Sequence, residues 1–177
     1  ANLSVTNRKD SQGICFVGNV EVREFLARRL MIKTGVVVNT EGEVLGTHDG
    51  VWFYTIGQRG GWVMDPKAQK KFQNKEETPV FYIVEKVAKE NKLVVGLASE
   101  AEKNYFQVTE LNWISLWQEP EKLWVRIRHG GELVEAKLVE VEGKWEVRLT
   151  KPLRGVASGQ SAVFYQHGEC VGGGVIV

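Results

Sequence analysis

The chain has 177 residues, 43% of them hydrophobic and 10% aromatic, which is enough for one large or two small packed cores. Its 23 Lys and Arg residues nearly balance its 22 Asp and Glu residues, giving a formal charge of +1. This balance excludes the strong basic excess of a free-standing nucleic-acid binder, so any RNA contact must come from a local patch. The two cysteines, Cys15 and Cys170, form no disulfide framework and favour a reducing cytoplasm, and no apolar run approaches the ~20 residues of a membrane helix.

Residues 1–18 show little periodicity, and their main feature is Cys15, which stands between Gly13 and Gly18. Glycine lets the backbone approach a substrate closely or rearrange around it, and the start of a following helix favours a thiolate over a thiol. Free cysteine is also among the most often buried residue types. The residues alone therefore leave two interpretations open, a reactive thiol and a small buried side chain.

A helix is predicted over residues 20–31, with Asn19 as its N-cap. The apolar residues of this segment follow helical spacing and form a single face: Val22, Phe25, Leu26 and Leu30. The arginines of the segment lie off this face.

From Gly35 the pattern changes to short strands. The β-branched and aromatic runs that indicate them are residues 36–39, 43–46 and 51–56. Residues 34–76 are therefore predicted as a small central β module with its linker, and the β module itself ends near residue 63. A polar, lysine-rich connector follows over residues 64–78, and we take it as a domain boundary.

Residues 77–177 repeat one arrangement of strand, tight polar turn and strand, with turn signals too regular for helices. About seven short strands are predicted, a number typical of a closed barrel or sandwich: residues 80–84, 93–97, 123–128, 133–141, 145–149, 162–165 and 170–177. Closure would hide the sheet edges. The predicted fold is thus mainly β, with a central β module followed by an antiparallel barrel and one short N-terminal helix.

One strand of the predicted barrel has two contrasting faces. Period-two alternation turns Leu123, Val125 and Ile127 to one side, and it turns a cationic and aromatic set to the other: Trp124, Arg126 and Arg128. Guanidinium groups bind phosphate and an indole offers a stacking platform, so this face suits RNA. It is equally compatible with an exposed face whose arginines pair with glutamates such as Glu135.

Five motifs follow one another along the chain. They are Lys9 to Gly18 around the first cysteine, Gly46-Thr47-His48-Asp49-Gly50, Tyr54-Thr55-Ile56-Gly57-Gln58-Arg59, Ser158 to Tyr165, and Gly172-Gly173-Gly174. In this order and with this spacing the chain resembles the tRNA-specific 2-thiouridylases over nearly its whole length. Several motifs in a family's order are far more specific than any one of them.

The resemblance implies a tRNA-uridine 2-sulfurtransferase, which thiolates the wobble uridine at C2 using ATP and a cysteine persulfide. It also implies an N-terminal ATP-pyrophosphatase domain with a Ser-Gly-Gly-Val-Asp-Ser type phosphate loop, a loop that is absent from these residues. Residues 1–33 would then be the end of the catalytic domain, 34–76 the central module and linker, and 77–177 the barrel. We expect no cofactor or metal site in this part, and no thiolation by this part alone.

The resemblance also assigns roles to four residues. Cys15 matches the cysteine that carries the persulfide, and Arg128, His129 and Gln160 match positions that contact tRNA. The expected partners are tRNA, a sulfur-relay donor protein and the missing ATP-pyrophosphatase domain, with no membrane and a cytoplasmic location. Position 129 departs from many relatives, in which a tyrosine is common, so stacking there depends on histidine.

Other interpretations stay open. A non-enzymatic RNA-binding β-barrel of the translation-factor kind would explain the barrel and its cationic strand, but it has no use for a persulfide on Cys15. Gln58 and Arg59 either make a positioning contact in the central module or stabilise a turn over the cysteine-bearing segment. Among the remaining candidates, His48 is predicted as a hydrogen-bonding rather than metal-binding histidine.

Two further side chains are assigned no chemical role. His167 is predicted at an exposed hairpin tip, and Cys170 is predicted as a structural residue of a strand.

Overall fold

Residues 22–73, 79–114 and 122–177 are described by a computed structural model. They form a five-stranded mixed sheet and a six-stranded closed barrel, which confirms the mainly β fold. None of the helices within these ranges has the length and apolar character needed to cross a membrane.

The predicted N-terminal helix is present as α1, Val22–Ala27. Backbone bonds from Arg28 to Glu24 and from Leu30 to Leu26 continue its winding beyond the last helical residue. The helix therefore ends close to the predicted position, while Asn19 and Cys15 lie outside the described residues.

The central sheet has the strand order β3-β2-β1-β5-β4. The strands are β1 Gly35–Asn39, β2 Val44–His48, β3 Val63–Met64, β4 Tyr82–Val87 and β5 Lys92–Gly96. Strands β1 and β5 pair in parallel and the other neighbours are antiparallel. The core of the sheet is built from apolar residues of these strands, chiefly Val37, Leu45, Ile83, Leu93 and Val95.

The predicted connector over residues 64–78 is wrong in its first part, because a second helix, α2 Pro66–Gln73, lies there. Asp65 caps this helix by accepting a hydrogen bond from the Lys67 amide at 2.7 Å, and proline at the first helical position needs no amide partner. Ala68 is buried in the sheet core and Phe72 packs against it. In the sequence, Asp65 followed by Pro66 is the pattern that predicts the start of this helix.

The strand pairing places the change from the central sheet to the barrel later in the chain than the predicted domain boundary after residue 76. The hairpin of β4 and β5 was assigned to the barrel, but β5 lies beside β1 in the central sheet, with Val37 opposite Leu93. The change from sheet to barrel therefore falls between β5 and the strand that begins at Glu102.

The barrel is antiparallel throughout, in the order β10-β11-β6-β9-β8-β7, and β7 pairs with β10 to close it. Its strands are β6 Glu102–Trp113, β7 Leu123–Arg126, β8 Val134–Val141, β9 Lys144–Arg154, β10 Ser161–Gln166 and β11 Glu169–Ile176. The five strands β7 to β11 were predicted, but the longest strand, β6, was not.

The two faces predicted for β7 are confirmed. Leu123, Val125 and Ile127 are buried in the hydrophobic core of the barrel. The alternate side chains, those of Trp124 and Arg126, are half-buried on the outside of the barrel, and Arg128 is exposed just beyond the strand.

Candidate functional site

A groove of about 420 Å³ runs over the outside of the barrel where β7 meets β10. The register places Val163 of β10 opposite Arg126 of β7. The groove is lined by Arg126, Ile127, Arg128, His129, Gln160, Ser161, Val163 and Tyr165.

All three predicted tRNA-contact residues line this groove. Arg128 and His129 are neighbours at the end of β7, whereas Gln160 comes from the turn that leads into β10. Two backbone hydrogen bonds hold Gln160 in place. Its amide donates to the Ala157 carbonyl at 3.3 Å, and its carbonyl accepts from the Ile176 amide at 2.8 Å. Closure of the barrel therefore brings residues that are distant in sequence to one surface.

The groove is cationic. Two of its lining side chains carry a guanidinium group, and none of the described residues that line it is acidic. Glu135, the expected partner of the β7 arginines, lies opposite Trp124 and forms its ion pair with Lys122 at 3.4 Å. A concave, positively charged surface of this kind favours an anionic ligand.

Arg126 is held against the barrel by an aromatic ring. Its guanidinium lies 5.5 Å from the centroid of the Tyr165 ring, an arrangement that is attractive without consuming hydrogen-bond donors. The Arg126 Nε is buried and has no hydrogen-bond partner among the described residues, and the same is true of the Gln160 Oε1.

Arg128 has a second role that sequence reasoning missed. Its Nη2 donates to the Ile56 carbonyl at 2.9 Å and to the Gly155 carbonyl at 3.1 Å, which joins the central module to the barrel. The two backbones approach closely here, since a Cβ on Gly57 would lie 2.7 Å from the Gly155 Cα. The available signal was a glycine at each of the two positions where the backbones approach, Gly57 and Gly155.

The Tyr54 to Arg59 motif forms a turn of the central module. The Thr55 amide donates to the Gln58 Oε1 at 3.1 Å, and the Gln58 carbonyl accepts from the Ile83 amide at 2.9 Å. Arg59 is exposed and pairs with Tyr82 through its backbone. Gln58 thus stabilises its own turn and fastens it to β4, while the segment around Cys15 lies outside the described residues.

His48 is a buried hydrogen-bonding residue, as predicted. The Gly50 amide donates to its Nδ1 at 2.9 Å, so the proton of the neutral ring is on Nε2, which lies 3.1 Å from the Asn91 carbonyl. Burial lowers the pKa of His48, outweighing the opposing effects of the Asn91 carbonyl and Asp49. Within the described ranges no group of three or more His, Cys, Asp or Glu side chains is arranged to hold a metal ion.

The remaining candidates lie near one another on the last hairpin. His167 is exposed in its turn, with a φ of 50°, as predicted. Cys170 lies in β11 as predicted, but its thiol is free and exposed rather than part of the core.

The fold and the groove define a class of protein: a mixed β sheet fastened to a closed antiparallel barrel that presents a cationic outer surface. Two family models match in the same order. Residues 23–97 match a tRNA methyl transferase PRC-barrel domain, and residues 103–176 match an Aminomethyltransferase beta-barrel domain. The gap between these matches coincides with the change from sheet to barrel seen in the strand pairing.

Curated relatives narrow the class. The chain is 35% identical to the tRNA-specific 2-thiouridylase MnmA of Geobacillus thermodenitrificans, over 99% of this chain and 46% of the relative. It is 36% identical to the enzyme of the same name from Mycoplasma pneumoniae, over 99% of this chain and 46% of the relative. It is 37% identical to that from Histophilus somni, over 98% of this chain and 45% of the relative. The chain belongs to the tRNA-specific 2-thiouridylase family, and it spans about half the length of the curated relatives it matches.

Proposed function

We propose that this chain provides the tRNA contacts and the sulfur-carrying cysteine of a tRNA-uridine 2-sulfurtransferase. The observation that carries the proposal is the groove, because it gathers Arg128, His129 and Gln160 on one cationic surface. The family resemblance assigns these three residues to tRNA contact, and they come from two segments that are distant in sequence. Membership of the 2-thiouridylase family supports the same substrate.

In this proposal the groove holds the tRNA and contributes no chemistry itself. Guanidinium groups bind phosphate oxygens through charge-assisted hydrogen bonds. The Nη2 of Arg128 is already bonded to two backbone carbonyls. Its guanidinium is therefore fixed in place before RNA arrives, which reduces the entropy lost on binding.

The chemical step would use Cys15. ATP, bound by an ATP-pyrophosphatase domain that precedes these residues, is attacked at its α-phosphorus by the C2 oxygen of the wobble uridine, and pyrophosphate leaves. The Cys15 thiolate attacks the terminal sulfur of a persulfide on a sulfur-relay donor, and the donor leaves as a thiolate. The terminal sulfur of the resulting Cys15 persulfide attacks C2 and displaces AMP. A cysteine of the ATP-pyrophosphatase domain then attacks the Cys15 Sγ, so that a disulfide forms and 2-thiouridine is released. A thiol reductant restores the two cysteines.

The sequence around Cys15 suits this role. Gly13 and Gly18 flank it, and glycine allows the segment to rearrange between donor and acceptor. The exposed Cys170 lies far along the chain in the barrel, and the proposal gives it no role.

The decisive experiment is Cys15→Ser in the full-length enzyme, with Cys170→Ser as the matched control. We expect Cys15→Ser to abolish 2-thiouridine formation, measured by mass spectrometry of nucleosides from the reacted tRNA, with tRNA affinity within about twofold of wild type. Cys170→Ser should retain normal thiolation. Substantial thiolation by the Cys15→Ser enzyme would refute the persulfide role of Cys15.

A further inference from the structure

The central sheet has a face that points away from the core of its module. On β1, β2 and β3 the strand register places five side chains together on that face: Val36, Val38, Val44, Thr47 and Val63. We call this set the valine face. Residues that alternate with it, such as Val37 and Leu45, belong to the core. The side of a sheet that meets water usually carries polar residues, so this face has the composition of a surface that is covered.

Most of the valine face is nevertheless open to solvent in this chain. Val36, Val44 and Val63 are 41%, 56% and 70% exposed. Immediately before β1, Met31 and Ile32 are 86% and 67% exposed. Strand β1 also pairs in parallel with β5, and parallel strands are normally covered on both faces. Neighbouring exposed apolar side chains of this kind mark an interaction site.

Helix α1 precedes this surface in the chain and has no place in the core. Its apolar side chains Phe25 and Leu26 are half-buried, and neither belongs to the core cluster of the central module. The helix is tied to the module through Arg23, which forms an ion pair with Asp49 and lies 5.3 Å from the centroid of the Phe53 ring. The apolar side of α1 is therefore available to the partner that covers the valine face.

The position of the barrel and the chemistry of the face narrow the choice of partner. The barrel is fastened elsewhere, where Arg128 donates to the Ile56 carbonyl and Gly155 approaches Gly57. RNA binding depends on cationic groups, and the valine face has none. The chain covers only 46% of its Geobacillus thermodenitrificans relative, which leaves the part of the enzyme before α1 as the neighbour that can cover the face.

We infer that the valine face docks against the catalytic domain that precedes α1 in the full-length enzyme. Burial of the exposed valines, together with Met31 and Ile32, drives this docking. The inference rests on the proposed function, which supplies that domain, and it adds the surface through which the central module is held. Cys15 lies before α1 in the sequence, so docking at this face keeps the cysteine segment beside the catalytic domain.

The direct test is the rate at which a maleimide labels Val63→Cys in the full-length enzyme and in the 177-residue chain. Peptide mass spectrometry measures the rate at this site separately from the other cysteines. We expect labelling about tenfold slower in the full-length enzyme, because access then requires the interface to open. Ile114→Cys is the matched control, since Ile114 is 65% exposed on the barrel, and its labelling rate should be the same in both proteins.

A second test replaces valine by threonine, which keeps the shape of the side chain and adds a hydroxyl. The pair Val36→Thr and Val63→Thr buries two hydroxyls if the face is docked. It should lower thiolation by the full-length enzyme about tenfold, while the unfolding midpoint of the 177-residue chain stays unchanged because both positions are exposed there. The pair Val141→Thr and Val177→Thr, on exposed valines of the barrel, is the matched control and should keep normal thiolation.

The possible failures are distinguishable. Labelling of Val63→Cys that is equally fast in both proteins, or slowed no more than that of Ile114→Cys, would overturn the docking. Slow labelling already in the 177-residue chain that depends on protein concentration would assign the face to a second copy and would also overturn it. Labelling is measured without tRNA or ATP, so its outcome is independent of the Cys15→Ser experiment that decides the proposed function.

Discussion

The central module and the barrel are each stabilised by a different kind of interaction. In the central module the buried His48 and Asn91 join separate segments through hydrogen bonds, and Asn91 also donates to the Lys33 carbonyl at 2.8 Å. The barrel closes by strand pairing around a large hydrophobic core cluster, and Gln166 of β10 is a buried polar side chain on its inward face. An open mixed sheet needs side-chain bonds to fix its loops, whereas a closed antiparallel ladder satisfies its own backbone.

The junction between the central module and the barrel is made by side-chain contacts. Arg128 donates to a carbonyl on each side, and the Arg154 guanidinium lies 5.3 Å from the centroid of the Tyr82 ring.

In the barrel, the largest effect should come from Phe164→Ala. Phe164 is fully buried, and its ring stacks on Trp113 with centroids 5.6 Å apart. Removing a buried aromatic ring from a closed core leaves a cavity that the surrounding strands cannot fill, and we expect a loss of about 3–5 kcal/mol of unfolding free energy. Denaturant unfolding followed by tryptophan fluorescence measures it.

Leu133→Ala is the control for this loss, since Leu133 is 37% exposed beside the same barrel. Leu133→Ala should lower the free energy of unfolding by about 0.5 kcal/mol. A cost for Phe164→Ala of no more than that of Leu133→Ala would show that the barrel does not depend on its apolar packing.

The contrast between the modules also explains which features were predictable from sequence. Local signals sufficed for the barrel hairpins and for the two faces of β7, because alternation and turn residues act over a few positions. The parallel pairing of β1 with β5 is long-range, and a hairpin with the same local pattern was therefore assigned to the barrel. The helix α2 was missed although Asp65 and Pro66 announce its start.

The groove was predicted only in part, for a similar reason. Motif resemblance selected Arg128, His129 and Gln160, but no pattern in the sequence states that β7 closes against β10. The bond from Arg128 to the Ile56 carbonyl depends on the docking of two modules. Such tertiary contacts become visible only when the backbone path is known.

At the junction, Gly155→Ala should be costly, and Gly143→Ala is its matched control. Both glycines have a φ of 75°, but a Cβ on Gly155 would lie 2.5 Å from the Arg128 Nη2, whereas nothing lies within 4 Å at Gly143. The left-handed conformation alone costs about 1–2 kcal/mol for alanine. Displacing Arg128 from its two carbonyls should add about 1–2 kcal/mol at Gly155 only.

A double-mutant cycle with Arg128→Met sharpens this prediction. If Gly155→Ala acts by expelling the guanidinium, then adding Arg128→Met to it should cost little more, because the bonds are already lost. Additive losses, or equal costs for the two glycine variants, would show that Gly155→Ala does not act by displacing Arg128 from its two carbonyls. Unfolding free energies from denaturant titration decide between these outcomes.

In the central module, the stability should depend on pH through His48. Burial lowers the pKa of His48 in the native state, so below about pH 6.5 the unfolded chain binds a proton that the folded chain resists. The free energy of unfolding should therefore fall as the pH decreases from neutrality through the ordinary histidine range, and recover when the pH is raised. His48→Gln should be less stable at neutral pH but should lose this component of the pH dependence.

Val51→Ala separates the titration from mere loss of packing. Val51 is buried in the same core and its amide donates to the Asn91 Oδ1 at 3.2 Å, so its truncation should lower stability by a similar amount at every pH and keep the slope. Denaturant unfolding of the three proteins between about pH 5 and about pH 7.5 measures the difference. An unchanged slope in His48→Gln would mean that the buried imidazole is not the group that makes the central module sensitive to acid, and the contrast with the apolar barrel would then need another physical cause.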